Sequence, residues 1–346
     1  MNNFNDDFYK RKYLKYKTKY ITIKNYYGGT LDKVIGQTQN PDKYLDLSTL
    51  AMLRRVSKGL RDVVTPVIDN KTSLDLSDKN LGSDLAKIQS LADQLLKMDN
   101  LTSLNLSGNK IDVAGITALA PSLELLTKLT NLNLSRNNIT AAGITALAPC
   151  FLRLTNLRSL NLSDNSMRMN TMVTLIPSLV HMIHLTHLNI SGNSFHTNDI
   201  VLLAPILARM SNLTELNISR NYIGHLGALA LVEHGALSNN LTCLDMSNTH
   251  IELADIIILL PSLGNMTKLK HLNLSRHPYI DTIDVIMALT PYLALMTNLT
   301  HLNLSGHQIR AASATTLGQS LALSHNLTDI NLSGLSTSRL KLDISL

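Results

Sequence analysis

Five side chains of metal-ligand or acid–base type recur along this chain at nearly constant spacing. They are Glu215, Cys243, His271, His301 and Asp329, separated by 28, 28, 30 and 28 residues. Carboxylate, thiolate and imidazole are the groups that hold zinc, and imidazole is also the group that titrates near neutral pH. All twelve histidines fall between 181 and 325, with His277 and His307 close to the same run. Residues so far apart in sequence meet only if a repeating fold stacks them, one per strand. Ligands on successive parallel strands stand side by side and converge on one ion only if long side chains bend inward. The run therefore reads first as surface variation, next as a partner contact or pH-sensitive patch, and last as a metal site. No metal and no cofactor is expected. No GxxxxGK[ST], HExxH, GxSxG or CxxC pattern occurs, so the common nucleotide, zinc, serine-hydrolase and dithiol chemistries lack their motifs.

The elements that would position such a run are set by an internal period. Leu101, Leu129, Leu157, Leu185, Leu213, Leu241 and Leu269 open units 28 residues long; Leu299 follows after 30 and Leu327 after 28. One unit reads LTSLNLSGNKIDVAGITALAPSLELLTK and the next LTNLNLSRNNITAAGITALAPCFLRLTN. Lys71–Asn100 is a degenerate first copy, and 327–346 a truncated last one. Each unit opens with alternation, as in Leu104-Asn105-Leu106-Ser107, which predicts a short strand with one buried face. Its second half has helical spacing: Ile116, Leu119, Leu123 and Leu126, then Ile144, Leu147, Phe151 and Leu154. Strand and helix repeated in parallel predict right-handed βα coils. Composition agrees, with 45% hydrophobic but only 4% aromatic residues and no Trp. One small packing unit is filled with Leu and Ile many times over.

This pattern is similar to leucine-rich repeats of the 28-residue, ribonuclease-inhibitor-like type. The resemblance implies an α/β solenoid, a horseshoe with a parallel sheet on its concave side and helices on its convex side. About nine full coils plus the truncated last one would occupy 71–346. In that family the Asn at the ninth position is buried and bonds neighbouring backbone in a ladder. Here Asn109, Asn137, Asn165, Asn193 and Asn221 keep it, while Thr249, His277 and His307 take the matching slots. The C-terminal third is therefore expected to be less regular, or adapted to something specific. Proline recurs in the helical half at 121, 149, 177, 205, 261 and 291. It costs an interior hydrogen bond, so kinked helices or two short turns per coil are expected.

The surface predicted to bind is the concave sheet. Its middle column, Asn105 to Asn331, and the next one, Ser77 to Ser333, are uniform and say little about a partner. Variation is confined to the column Ser103, Asn131, Ser159, His187, Glu215, Cys243, His271, His301 and Asp329, and to one carrying Arg136, Arg220 and Arg276. Interface hot spots favour Arg and aromatic residues. The candidate partner-binding set is Arg136, Glu215, Arg220, Tyr222, His271, Arg276 and His301. A GTPase-activating arginine at 136 or 220 would need an acidic or Gln partner, and none is evident.

The net charge of +6 sits at the beginning of the chain. Residues 1–27 carry seven Lys/Arg against two Asp, whereas from 71 to 346 the signs balance at 18 each. The repeats thus have no electrostatic claim on nucleic acid. The 1–30 tail is basic, places Tyr9, Tyr13, Tyr16 and Tyr20 on one helical stripe, and resembles N-terminal segments of giant DNA virus proteins. In 31–70, LDLSTLAMLRRVSKGLRDVV reads bottom-up as a helical hairpin capping the first coil. The same stretch resembles the latter two-thirds of an F-box, without its opening Leu-Pro. That resemblance implies docking of Leu50, Leu53, Val56, Leu60 and Val63 on the linker subunit of a cullin-based ubiquitin ligase, with a protein target held by the repeats. Two cysteines, the shortness of every apolar run and the absence of a secretory leader predict a soluble, intracellular, monomeric, non-enzymatic protein.

Overall fold

The computed structural model of the chain describes residues 71–168, 171–277, 280, 282–293, 295–306 and 326–333. The tail at 1–30, the F-box-like segment with Leu50, Leu53, Val56, Leu60 and Val63, and His307 lie outside the described residues. Each strand is only three residues long: β1 Ser73–Asp75, β2 Ser103–Asn105, β3 Asn131–Asn133, β4 Ser159–Asn161, β5 His187–Asn189, β6 Glu215–Asn217, β7 Cys243–Asp245, β8 His271–Asn273, β9 His301–Asn303 and β10 Asp329–Asn331. They form one sheet in chain order, parallel throughout, with Leu74, Leu104, Leu132 and their successors paired to Ile330. The paired central residues from Leu74 to Leu302 point inward and are buried. The residues on either side of them face out.

Eight α-helices alternate with the strands among the described residues: α1 Leu85–Leu95, α2 Val113–Leu125, α3 Ala141–Arg153, α4 Thr171–Leu179, α5 Thr197–Arg209, α6 Gly224–Glu233, α7 Leu253–Gly264 and α8 Thr282–Leu293. Asp84 and Asp112 cap α1 and α2 through Ala86 N and Gly115 N. In α5 and α7 the carboxylates of Asp199 and Asp255 accept instead from the cap backbone at His196 and Glu252. The core between sheet and helices repeats the same aliphatic set. In the coil from 101 it comprises Leu101, Leu104, Leu106, Ile111, Ile116, Leu119, Leu123 and Leu126, all buried.

The prolines do not divide the helices into two turns. Each of the six lies inside one continuous helix. Five are exposed and Pro205 is half-buried. The carbonyl each would have bonded belongs to residue i−4, such as Thr117, Thr145 or Ile257, also on the solvent side. Water can satisfy that carbonyl, which removes most of the cost of a missing N–H.

The ninth-position ladder forms as the repeat implies. Asn137 Nδ2 donates to Leu106 O (3.0 Å), Leu134 O (3.0 Å) and Ser135 O (3.2 Å), and its Oδ1 accepts from Asn109 N (3.1 Å) and Ile111 N (2.9 Å). Asn109, Asn165, Asn193 and Asn221 bond in the same manner. The expected irregularity at the substituted slots does not appear in the strands, whose register runs unbroken through β7, β8 and β9. Thr249 Oγ1 donates to Met246 O at 2.7 Å, the contact Asn makes with its own coil. The Thr249 carbonyl then accepts from Ile223 N (3.0 Å), as the Asn amide oxygen does elsewhere. The adjustment is taken up at Gly224, which has φ +58° and starts α6. His277 is likewise buried in the ladder column.

Candidate functional site

Three columns of the open sheet face are largely consumed by the fold. Second-position threonines such as Thr102, Thr130, Thr214 and Thr242 donate their hydroxyls to the carbonyl one coil back. Fifth-position carboxamides accept, through Oδ1, the N–H of the serine two residues on. This occurs at Asn105, Asn133, Asn161, Asn189, Asn217, Asn273, Asn303 and Asn331. Asp75 and Asp245 do the same, and the Ser77 N–H holds the Asp75 carboxyl below its usual range. The uniform Asn and Ser columns thus close the ends of three-residue strands.

The third-position column carries the side chains with chemical character. His187 Nε2 lies 3.1 Å from Glu215 Oε1, and its Nδ1 lies 2.7 Å from Thr186 Oγ1. Cys243 follows, half-buried, its thiol pushed up by burial and then by the nearby Glu215 and Asp245 charges. His271 and His301 come next, ring centroids 4.3 Å apart at 32°, with His301 Nδ1 held 2.8 Å from Thr300 Oγ1. The structure therefore brings the five spaced residues into one file and sorts four histidine and glutamate side chains into two pairs. No group of three or more His, Cys, Asp or Glu is placed to hold a metal ion among the described residues.

The arginines belong elsewhere. Arg136, Arg220 and Arg276 occupy the eighth position, just past the strand, with φ of 54°, 54° and 61°. That position is left-handed in every described coil, held by Asp78, Gly108, Arg136, Asp164, Gly192, Arg220, Asn248, Arg276 and Gly306. They form a rim beside the sheet rather than a column within it. Arg220 Nη1 reaches Asp164 Oδ1 at 2.6 Å and Arg136 Nη2 reaches Asp78 Oδ1 at 3.7 Å, each pair two coils apart. Gly192 and Gly108 stand between the partners. A Cβ on either would collide with the Asp carboxylate. Absence of a side chain is what lets the charges meet. Arg136 and Arg220 are thereby engaged within the rim, whereas Arg276 has no ion pair among the described residues.

An aromatic group, largely unread in the sequence, lies just beyond. Tyr222 is 48% exposed and stacks on His250 at 4.7 Å and 26°, with His196 at 6.1 Å on its other side. Its members come from three consecutive coils at the tenth and twelfth positions. A heptad- or alternation-based reading has no reason to pair them. The signal available was Tyr222 and His250 standing one repeat length apart.

The Leucine Rich repeat profile matches residues 98–120, 126–148, 181–204, 209–232 and 296–318. No curated protein matches the chain. Among solved structures, a TDR receptor is 20% identical, with a TM-score of 0.47 over 76% of this chain and 41% of the receptor. This chain therefore spans about two-fifths of that protein's length. An internalin from Listeria monocytogenes is 22% identical, with a TM-score of 0.36 over 82% of this chain and 87% of its own. Internalin C2 from the same organism is 22% identical, with a TM-score of 0.44 over 74% and 93%. No helix among the described residues is long and apolar enough to cross a membrane. The five matched segments, the ten-stranded parallel sheet and the helix that follows nearly every strand make this chain an α/β leucine-rich-repeat solenoid.

Proposed function

We propose that the chain is a non-enzymatic protein-binding scaffold whose partner sits on the open sheet face, between His187 and Asp329 and along the rim from Arg220 to Arg276. One observation carries this reading. The fold uses the hydroxyls, carboxamides and serines of the neighbouring columns, yet leaves the third-position column free to vary, and there the described strands bear their imidazoles and thiol beside the Glu215 carboxylate. Exposed Tyr222 with its two flanking histidines supplies an aromatic anchor of the kind interfaces favour. Glu215, His271 and His301 give polar selectivity, and Arg276 a cation not engaged by another described residue. A photo-crosslinking residue at 215, 271 or 301 should capture the partner, and one at Thr117 on the helical face should not. Equal capture from both faces would defeat the assignment.

The finer form of the proposal is a substrate adaptor for a cullin-based ubiquitin ligase. The sequence at 45–64 supports it, with Leu50, Leu53, Val56, Leu60 and Val63 as the linker-binding face and the repeats as target holder. Full-length protein should capture the linker subunit, and Leu53→Asp with Val56→Asp should abolish capture. If wild type captures nothing at micromolar concentration, the remaining reading is a stand-alone binding or inhibitory scaffold, with 31–70 serving only to cap the first coil.

A further inference from the structure

One side-chain pair on the open sheet face has bonds that can be counted proton by proton. Thr186 Oγ1 donates its single proton to Arg158 O at 2.9 Å. Thr214 and Thr242 make the same bond one and two coils on, each at 3.1 Å. They stand beside Glu215 and Cys243, which offer the hydroxyl no ring nitrogen. A second-position threonine therefore spends its proton on the preceding coil, whatever residue follows it. Thr186 Oγ1 has only lone pairs left for His187 Nδ1, 2.7 Å away, so that nitrogen is the donor. The other ring nitrogen, Nε2, lies 3.1 Å from Glu215 Oε1, straight across the β5–β6 register. A neutral ring already protonated at Nδ1 would aim a lone pair at the carboxylate. The imidazolium makes both bonds.

His301 supplies the comparison. Its Nδ1 meets Thr300 Oγ1 at 2.8 Å, and that hydroxyl too is committed, to Lys270 O at 3.1 Å. Across the register on β8 stands the His271 ring, not a carboxylate. One proton on Nδ1 completes the bonds of His301, whereas His187 needs two. The charged or titratable groups on the strands around His187 are Arg158 ahead of β4, Glu215 on β6 and Cys243 on β7; Ser159 on β4 is neutral. His187 and Glu215 are both about half exposed, so protons from solvent reach them directly.

We propose that the His187–Glu215 pair is a proton-operated latch on the binding face. Its action as a gate rests on the sheet-face reading given above; the ring chemistry does not. An exposed carboxylate stays ionised from pH 8 to pH 5.5, while an exposed imidazole gains its proton in that interval. At the acid end the imidazolium holds Glu215 against the sheet. As pH rises Nε2 loses its proton, a lone pair faces Oε1, and the pair opens. Glu215 is then presented to a donor on the partner. The face offers this carboxylate at pH 8 and withdraws it at pH 5.5.

Nitrogen NMR of the full chain, labelled at histidine and free of any partner, tests the latch at about pH 8 and about pH 5.5. His187→Ser assigns the His187 signals, using the residue that β2 and β4 carry at the same position. At the higher pH His187 and His301 should each carry one proton, on Nδ1. Thr186→Val should abolish that preference at His187 alone, and the coil tolerates the loss because Arg158 and Lys270 already lack a hydroxyl there. At the lower pH His187 should carry two protons, and the one on Nε2 should exchange with water several-fold more slowly than in Glu215→Ala. A neutral His187 protonated at Nε2 would donate to Glu215 without charge and keep the pair closed throughout, which overturns the latch. For the gate, a photo-crosslinking residue at 301 should capture about two- to five-fold more partner at the higher pH, the weight of one exposed ion pair. His187→Ser should bring the acid yield up to the same level. Equal wild-type yields overturn the gate while the binding face stands, and no capture at either pH overturns both.

Discussion

Removing one rung of the asparagine ladder should be among the most damaging single changes in the chain. Asn137 is buried and its carboxamide serves five backbone groups in two coils. In Asn137→Ala the N–H groups of Asn109 and Ile111 lose their acceptor inside the protein, where each orphaned group costs about 1–3 kcal/mol. Two of them give about 4 kcal/mol, before counting the carbonyls that lose Nδ2. Asn137→Thr should cost less, because a hydroxyl can still donate to Leu134 O as Thr249 does to Met246 O. Urea unfolding followed by far-UV circular dichroism measures the totals. Hydrogen exchange in the peptide covering 106–111 shows whether the damage is local to the coil interface, as nearest-neighbour stacking requires. A loss below about 1 kcal/mol for the alanine variant, less than a single orphaned buried group should cost, would refute this account. Equal losses for Ala and Thr would refute the role assigned to Thr249.

Other consequences concern the rim and the cysteines. Gly192→Ala should lose about 2 kcal/mol, combining left-handed strain with displacement of the Asp164 carboxylate. Gly235→Ala, at φ +62° with open space around it, should lose only about 1 kcal/mol for strain alone, and equal melting-temperature shifts would remove the steric part. The Cys150 thiol is pushed up to about 12 by burial, from 9.0, with Glu124 adding to the effect. Between those values the folded state holds a proton that the unfolded chain releases, so stability should fall as pH rises from 9 towards 12. Cys150→Ser should flatten that slope while keeping the bond to Ala120 O, since Ser122 and Ser178 make the equivalent bond in neighbouring coils. Iodoacetamide at pH 8 should label Cys243 slowly and native Cys150 not at all; equal rates would contradict the burial difference.

The periodic leucines made the strand–helix alternation and the parallel stacking readable, because one spacing governs both elements. The three-residue length of the strands was not readable: the alternation continues to Ser107, but Asn105 ends the strand by turning its own side chain onto the Ser107 N–H. The prolines misled for a related reason. Their cost depends on which way the i−4 carbonyl faces, and that is a property of the packed coil. Arg136, Arg220 and Arg276 share a column in the repeat, but the left-handed turn that sets them on a rim beside the sheet is not signalled by glycine in every coil. The fold imposes φ near +55° there on Asp, Arg and Asn alike. The column from Glu215 to Asp329 was legible as a file of neighbours. Its pairing, His187 with Glu215 and His271 with His301, required the ring orientations.

The eighth-position residues Asp78, Gly108, Arg136, Asp164, Gly192 and Arg220 spell the same triplet twice, and each acid reaches its base across the bare glycine. Arrays of this kind lengthen or shorten by whole units, and the triplet limits the junctions at which they can do so. One extra coil between Asp164 and Arg220 would part that pair and leave two uncompensated charges on the edge. Extra coils inserted between Arg136 and Asp164, whatever their number, would leave both pairs closed. Growth at the boundary between triplets is electrostatically silent here, and growth inside one is not.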